Sequence, residues 1–257
     1  MCTIAILIDV VAGAPLVLAA NRDELYARPA RPPALLVADP KIAGGVDALS
    51  GGTWLAVRGD GRFAAVTNQR ALATAPPGLR SRGLAVRELA AAPDPEAYVN
   101  AIDPAAYASM NLVWNDAHGA AVAYVRREDQ TLEVHRLTRG VHVLCNDRLG
   151  AEFPRGARLG MAIEAALAEG VGWPALAARL AVALGDHMRV ALADTPSDPH
   201  LPRELARELT ATCIHSPSYG TRSATILASA PGQLIDYLHA DGPPCITPCR
   251  GEACCDP

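Results

Sequence analysis

The chain has 257 residues, half of them hydrophobic and only 4% aromatic, with a formal net charge of −4. A weakly acidic chain with scattered basic residues has no electrostatic footprint for nucleic acid or an anionic membrane. No apolar run reaches the roughly 18–20 residues that span a bilayer as a helix, so no transmembrane segment is expected.

The first stretch, Met1 to Glu24, reads as a hairpin ending in charge. Two apolar runs, Thr3 to Val11 and Leu16 to Ala20, flank an Ala-Gly-Ala-Pro turn and lead into Asn21-Arg22-Asp23-Glu24. Apolar runs joined by Gly and Pro are a hairpin signal. The absence of a basic residue before the run, and the turn that breaks it, argue against a secretory signal peptide. A soluble cytoplasmic protein is the expectation. A Pro-rich crossing, Ala27 to Pro40, should follow as an extended surface loop, since proline lacks the ladder N–H. Trp54 to Val57 and Arg62 to Thr67 form a second hairpin signal, and a helix is predicted near residues 83–92. Four short strands are predicted next, at 111–114, 120–125, 132–136 and 141–145. Their short connections imply antiparallel neighbours throughout. Helices follow around Leu159, Ile163 and Leu167, then over 173–184 and 202–209. A last antiparallel pair covers 223–229 and 233–239. This order predicts an α+β fold of two stacked, mainly antiparallel sheets covered by helices on their outer faces. One domain should span residues 1–240, with a flexible Cys-rich tail over 241–257.

Of the seven cysteines, four (Cys245, Cys249, Cys254, Cys255) crowd into that tail. Their C-x3-C-x4-C-C spacing is not a regular zinc pattern, and no histidine lies within it; no metal site is assigned. A disordered, oxidisable terminus is one reading and a soft-metal or redox role another, because thiolates are the ligands soft metals prefer.

Cys2 carries the sharpest chemistry. Its side chain is small, which favours removal of Met1 and exposes an α-amine on the same residue as a thiol. That amine has a reference pKa of about 7.7–8.0 and can act as a base near neutral pH. One residue then supplies nucleophile and base for acyl transfer, most often amide hydrolysis. An oxyanion hole and groups that orient the amine are also needed. Polar residues that end other apolar runs are candidates: Asp23, Asn68, Asn146 and Arg222. Each taken singly is also an ordinary turn residue or strand-end cap.

The set Met1-Cys2-Thr3, Asn21-Arg22-Asp23-Glu24, Gly51-Gly52-Thr53-Trp54, Thr67-Asn68, Cys145-Asn146 and Tyr219-Gly220-Thr221-Arg222-Ser223 resembles the NRDE family, that of the transport and Golgi organisation protein 2. That family in turn resembles N-terminal-nucleophile cysteine hydrolases of the bile-salt hydrolase and penicillin V acylase type. The resemblance implies a four-layer αββα sandwich. It also implies catalytic roles for Cys2, Asp23, Asn68, Asn146 and Arg222, with Asn21, Arg22 and Trp54 at the substrate. In those hydrolases the Arg and Asp stand two residues apart, whereas Arg22 and Asp23 are adjacent. Strand alternation therefore puts Asn21 and Asp23 on one face and leads us to expect Arg22 to face away. The resemblance carries a second functional reading as well. Eukaryotic relatives are linked to haem mobilisation and to lipid or acyl-CoA homeostasis, so a non-catalytic carrier with haem or a lipid as ligand is the alternative to a hydrolase with a small acyl or amide substrate. No cofactor is required for hydrolysis. A homo-oligomer is compatible with either reading.

Overall fold

The computed structural model describes residues 2–69, 76–173, 175–198 and 201–251. Met1, Cys254 and Cys255 lie outside the described residues. The opening runs pair as expected: β1 (Cys2–Ile8) and β2 (Leu16–Leu25) are antiparallel, with Cys2 opposite Arg22 and Ile8 opposite Leu16. β2 outlasts its apolar run because Asn21–Glu24 continues the ladder, pairing on its other edge with β11 (Tyr219–Ala230). With β10 (Gly140–Leu144), β12 (Gln233–Ala240) and β13 (Arg250–Gly251) they form a six-stranded sheet in the order β10-β1-β2-β11-β12-β13.

The second sheet has seven strands in chain order. These are β3 (Ala30–Ala38), β4 (Lys41–Asp47), β5 (Leu55–Arg58), β6 (Phe63–Asn68), β7 (Met110–Asp116), β8 (Gly119–Arg126) and β9 (Thr131–Arg136). Helices α1 (Arg82–Ala91) and α2 (Pro95–Asn100) cover its outer face, where Val86, Leu89 and Val99 pack with Leu112 and Trp114. Helices α3 (Pro154–Ala168) and α4 (Ala175–Leu184) cover the first sheet, where Leu159, Ile163 and Leu180 pack with Leu7 and Val17. A third apolar layer lies between the sheets: Ile4, Ile6 and Leu18 meet Leu55, Val57 and Val122. Each such side chain, fully removed from water, contributes about 1.5–3 kcal/mol. The result is the αββα sandwich.

Three segments depart from expectation. The Pro-rich crossing is an edge strand, β3, not a free loop. Its pairing with β4 shifts register between Arg31 and Ala34, around Pro32 and Pro33, and an edge is where a strand tolerates residues without an N–H. β10 does not join β9. Its pairing partner is β1, in the other sheet. Gly140 takes a φ of 138° at the crossing, a backbone state that side chains rarely allow. From residue 241, where a flexible tail is expected, the described chain turns back on itself. Thr247 N–H donates to Pro243 O at 2.9 Å, and β13 pairs Arg250 with His239 on the outer edge of β12.

The Gly51-Gly52-Thr53-Trp54 motif marks a close approach between the second sheet and α1. A Cβ on Gly52 would stand 2.3 Å from the carbonyl carbon of Gly83, while Thr53 N–H donates to Gly83 O at 3.0 Å. Backbone on both sides leaves no flexible atom to yield. Gly52→Ala is therefore expected to destabilise the fold by about 2 kcal/mol, read as a lowered urea midpoint with an unchanged m-value.

Candidate active site

Register decides which residues meet. Directly opposed residues of an antiparallel pair share a sheet face. Cys2 and Arg22 thus both point between the sheets, and Thr3 and Asn21 both point to the helix layer. This reverses the expectation for the tetrapeptide. Arg22 faces Cys2, and Asn21 faces away, its Nδ2 donating to Leu184 O at 2.8 Å and to Thr212 O at 2.9 Å beneath α4. Asn21 is scaffold: it ties β2 to the loops that follow α4 and α5 (Arg203–Glu208).

Cys2, Arg22, Asp23 and Asn68 line one cavity of about 270 Å³, together with Trp54 and Arg82. Cys2 stands directly opposite Arg22 on the β1–β2 pair, next to Asp23. Burial raises its pKa above the usual thiol value; the Asp23 charge pushes the same way and Arg22 opposes. The Asp23 carboxyl accepts from Thr221 Oγ1 at 2.6 Å, and Thr221 Oγ1 in turn accepts from Ile214 N–H at 2.9 Å. Tyr219 Oη donates to the Asp23 carbonyl at 2.9 Å. Burial raises the Asp23 pKa above the ordinary carboxyl range, opposed in part by Thr221, Arg155 and Arg22.

Arg22 is 5% exposed, and its guanidinium lies 4.3 Å from the centre of the Trp54 ring. Trp54 thus acts on the site by stacking beneath Arg22. Burial lowers the Arg22 pKa from the usual arginine value, while the charges of Cys2, Glu24 and Asp47 oppose this. Arg82, at the start of α1, shows the same balance: burial lowers its pKa, and Cys2 and Glu24 raise it. Its Nη1 donates to Ser109 O at 3.3 Å. Among the described residues no carboxylate comes within ion-pair distance of either guanidinium. The other cavity-lining arginines are matched: Arg28 with Asp47 at 2.6 Å and Arg80 with Glu88 at 3.0 Å.

Asn146 and Arg222 stand outside this cavity. Asn146 is buried after β10, and its Nδ2 donates to the backbone carbonyl of Asn68 at 2.6 Å. It therefore acts on the cavity through the end of β6. Arg222 is the extra residue of a β-bulge. β11 pairs Thr221 with Asp23 and then Ser223 with Arg22, which leaves Arg222 without a partner on β2. A bulge re-aims the side chain it carries. The guanidinium donates to the carbonyls of Tyr26 at 2.9 Å and Leu25 at 3.2 Å, holding the turn between β2 and β3.

Two arginines at or behind the cavity went unnoticed in the sequence. Arg82 gave no signal beyond an ordinary helix start. Arg155 had one: with Leu159 and Ile163 it continues an i, i+4, i+8 stripe, which puts it on the buried face of α3. It is 1% exposed and donates to Thr3 Oγ1 at 3.0 Å, Leu209 O at 2.6 Å and Asn146 Oδ1 at 2.6 Å.

Comparison with known proteins supplies the context. The family model described as Transport and Golgi organisation 2 matches residues 1–238. A Transport and Golgi organization protein 2 homolog of Bos taurus is 30% identical over 237 residues, covering 85% of this chain and 84% of that protein. Among solved structures, the Caenorhabditis elegans N-acylethanolamine-hydrolyzing acid amidase ortholog is similar, with a TM-score of 0.51 at 11% identity over 89% of this chain and 92% of that one. A mutant of conjugated bile acid hydrolase from Clostridium perfringens follows, with a TM-score of 0.47 at 10% identity over 94% and 89%. At these identities the likeness is one of fold.

The raised pKa of Asp23 gives a signed test. Below the ordinary Asp pKa of about 3.9 both folded and unfolded chains hold the proton and Asp23 costs nothing. As pH climbs from there to the raised pKa the unfolded chain alone releases it, and stability falls. Asp23→Asn keeps an acceptor for Thr221 and removes the charge. The difference in melting temperature between the variant and the parent should therefore grow in the variant's favour from pH 4 upward.

Proposed function

Because the chain belongs to the Transport and Golgi organisation 2 family and has the fold of N-terminal-nucleophile hydrolases, we propose that Cys2, freed by removal of Met1, is the nucleophile of a cysteine amidohydrolase acting on an amide or other acyl bond. One juxtaposition supports this most: Cys2 stands opposite Arg22 at a cavity that Asp23, Asn68 and Arg82 also line.

Each part has a physical task. The attacking species is the thiolate, so attack needs a base, and the α-amine of the same residue is the nearest one available. The amine takes the thiol proton and the thiolate attacks the acyl carbon. Asn68 and backbone N–H groups meet the oxyanion. The protonated amine then gives its proton to the departing nitrogen, leaving a thioester that water cleaves to the acid by the same route in reverse. Asp23, held by Thr221, orients the amine. Asn146 sets the end of β6 and with it Asn68. Arg22 and Arg82 bring unmatched positive charge into the cavity and suit a substrate with an anionic end. A cavity so rich in arginine favours a small polar acyl compound over the extended apolar chain a lipid carrier would need. A cytoplasmic setting fits too, since a reducing compartment keeps thiols free, and the five described cysteines are free.

Intact-mass analysis of active protein should show loss of the initiator methionine; full activity with Met1 retained would sink the reading. Cys2→Ser should lower kcat by about a thousandfold or more and abolish labelling by a thiol-reactive acyl probe. Arg82→Ala should raise KM for an anionic substrate by about tenfold or more, with a smaller change in kcat. A neutral analogue of the same substrate should show no such change.

A further inference from the structure

On the helix side of the first sheet, four metal-ligating side chains from three separate loops converge. Cys213 and His215 sit between α5 and β11, His187 follows α4, and Cys245 follows β12. Cys213 Sγ and Cys245 Sγ are 3.7 Å apart, and both are free thiols. His215 Nε2 lies 3.6 Å from Cys213 Sγ and 3.3 Å from Cys245 Sγ. Ligand atoms of His187, His215 and Cys245 all lie within 4.8 Å of one another, and the two imidazoles stand edge to face with centroids 6.0 Å apart.

These spacings match the edges of one coordination polyhedron. With Zn–S near 2.3 Å and Zn–N near 2.0–2.1 Å, a tetrahedral centre places its sulfurs about 3.8 Å apart and each sulfur about 3.5 Å from a nitrogen. The Cys213, His215 and Cys245 atoms already form such a face. His187 is exposed and can swing in as the fourth ligand. From this geometry we propose that Cys213, His215, Cys245 and His187 form a structural zinc site. A tetrahedral set of two thiolates and two imidazoles is what zinc selects, and four protein ligands leave no open position for chemistry.

The backbone around the cluster is already braced for it. Cys213 N–H donates to Asp186 O at 2.8 Å, beside His187. Gly185 lies so close to the return segment that a Cβ there would stand 3.1 Å from Cys245 N. The two loops carrying His187 and Cys213 are the ones Asn21 already grips, through Leu184 O and Thr212 O. A metal here would clamp the C-terminal return to the loops that support β2. The chain positions span His187 to Cys245, so no short cysteine–histidine motif announces the site.

The test uses the full chain, reduced, stripped with a chelator and titrated with cobalt(II), then zinc. Expected are one cobalt per chain with the intense visible bands and thiolate charge transfer of a tetrahedral site, displacement by zinc, and a melting temperature raised by about 5 °C or more at a hundredfold excess of free zinc over Kd. Cys245→Ser, on the return segment, should keep the fold by circular dichroism, lose about half the charge-transfer intensity, and bind zinc about a hundredfold or more weakly. Replacing Cys249, Cys254 and Cys255 together by serine should leave the spectrum intact. The proposal is overturned if the parent chain shows no tetrahedral cobalt bands, if Cys245→Ser binds as the parent does, if the triple tail variant loses the site, or if copper(I) is retained in preference to zinc.

Discussion

β2 pairs along both edges, and the arrangement of the cavity follows from those two registers. Against β1 it sets Cys2 beside Arg22; against β11 it sets Thr221 beside Asp23 and Ser223 beside Arg22. A slip of one residue would send every side chain of β2 to the opposite face. Asn21 would then enter the cavity and Arg22 would enter the helix layer, where its charge would meet the apolar contacts of α4. The two hydrogen bonds of Asn21 on the helix side lock the register from behind. The polar tetrapeptide thus does two jobs by alternation, one residue anchoring while its neighbour faces the cleft.

Arg155 works on the same region from the helix layer. A buried guanidinium is costly to desolvate, and only a full set of partners offsets that. Here Thr3 from β1, Asn146 from the segment after β10 and Leu209 from beyond α5 supply them. Asn146 passes the constraint across to the second sheet through the carbonyl of Asn68, and Asn111 does the same by donating to Thr67 Oγ1 and Asp147 O. The two sheets are therefore held together at the cavity end by directional polar contacts, while Ile4, Ile6 and Leu18 hold them by apolar packing further in. Apolar packing tolerates small displacements; hydrogen bonds at 2.6 Å do not, which suits a place where a thiol and a carboxyl must keep their separation.

The electrostatic pattern of the cleft is uneven. Arg28 and Arg80 are consumed by carboxylates, and Arg222 by the turn after β2. Arg22, buried against Trp54, and Arg82, half-buried beside Ser109, keep their charge. On the other side of the sheet the cysteine–histidine cluster and Asn21 bear on the same two loops. Support for β2 therefore reaches the far end of the chain.

Much of the architecture was legible from local pattern. Alternating apolar runs, Gly/Pro turns and helical stripes placed most elements, and a cysteine at position 2 beside the Asn21–Glu24 cluster located the cleft. What stayed hidden was set by distance in the chain. Arg82 looks like an ordinary helix-start arginine until packing half-buries it at the cavity, Arg155 shows its burial only as a place on a helical stripe, and the return of the C-terminal segment depends on the free edge of β12. Arg222 shows the limit most clearly: its place in a strand suggested the cleft, and one bulge turned it away. His187, Cys213, His215 and Cys245 share no spacing that a sequence could reveal. The amino-acid sequence by itself determined the elements, the two-sheet plan and the nucleophile candidate, because these rest on local periodicity and turn chemistry. Only the tertiary structure decided which charged residues face Cys2, because that depends on the registers of β1 with β2 and of β2 with β11, and register is a property of the pairing and not of either strand alone.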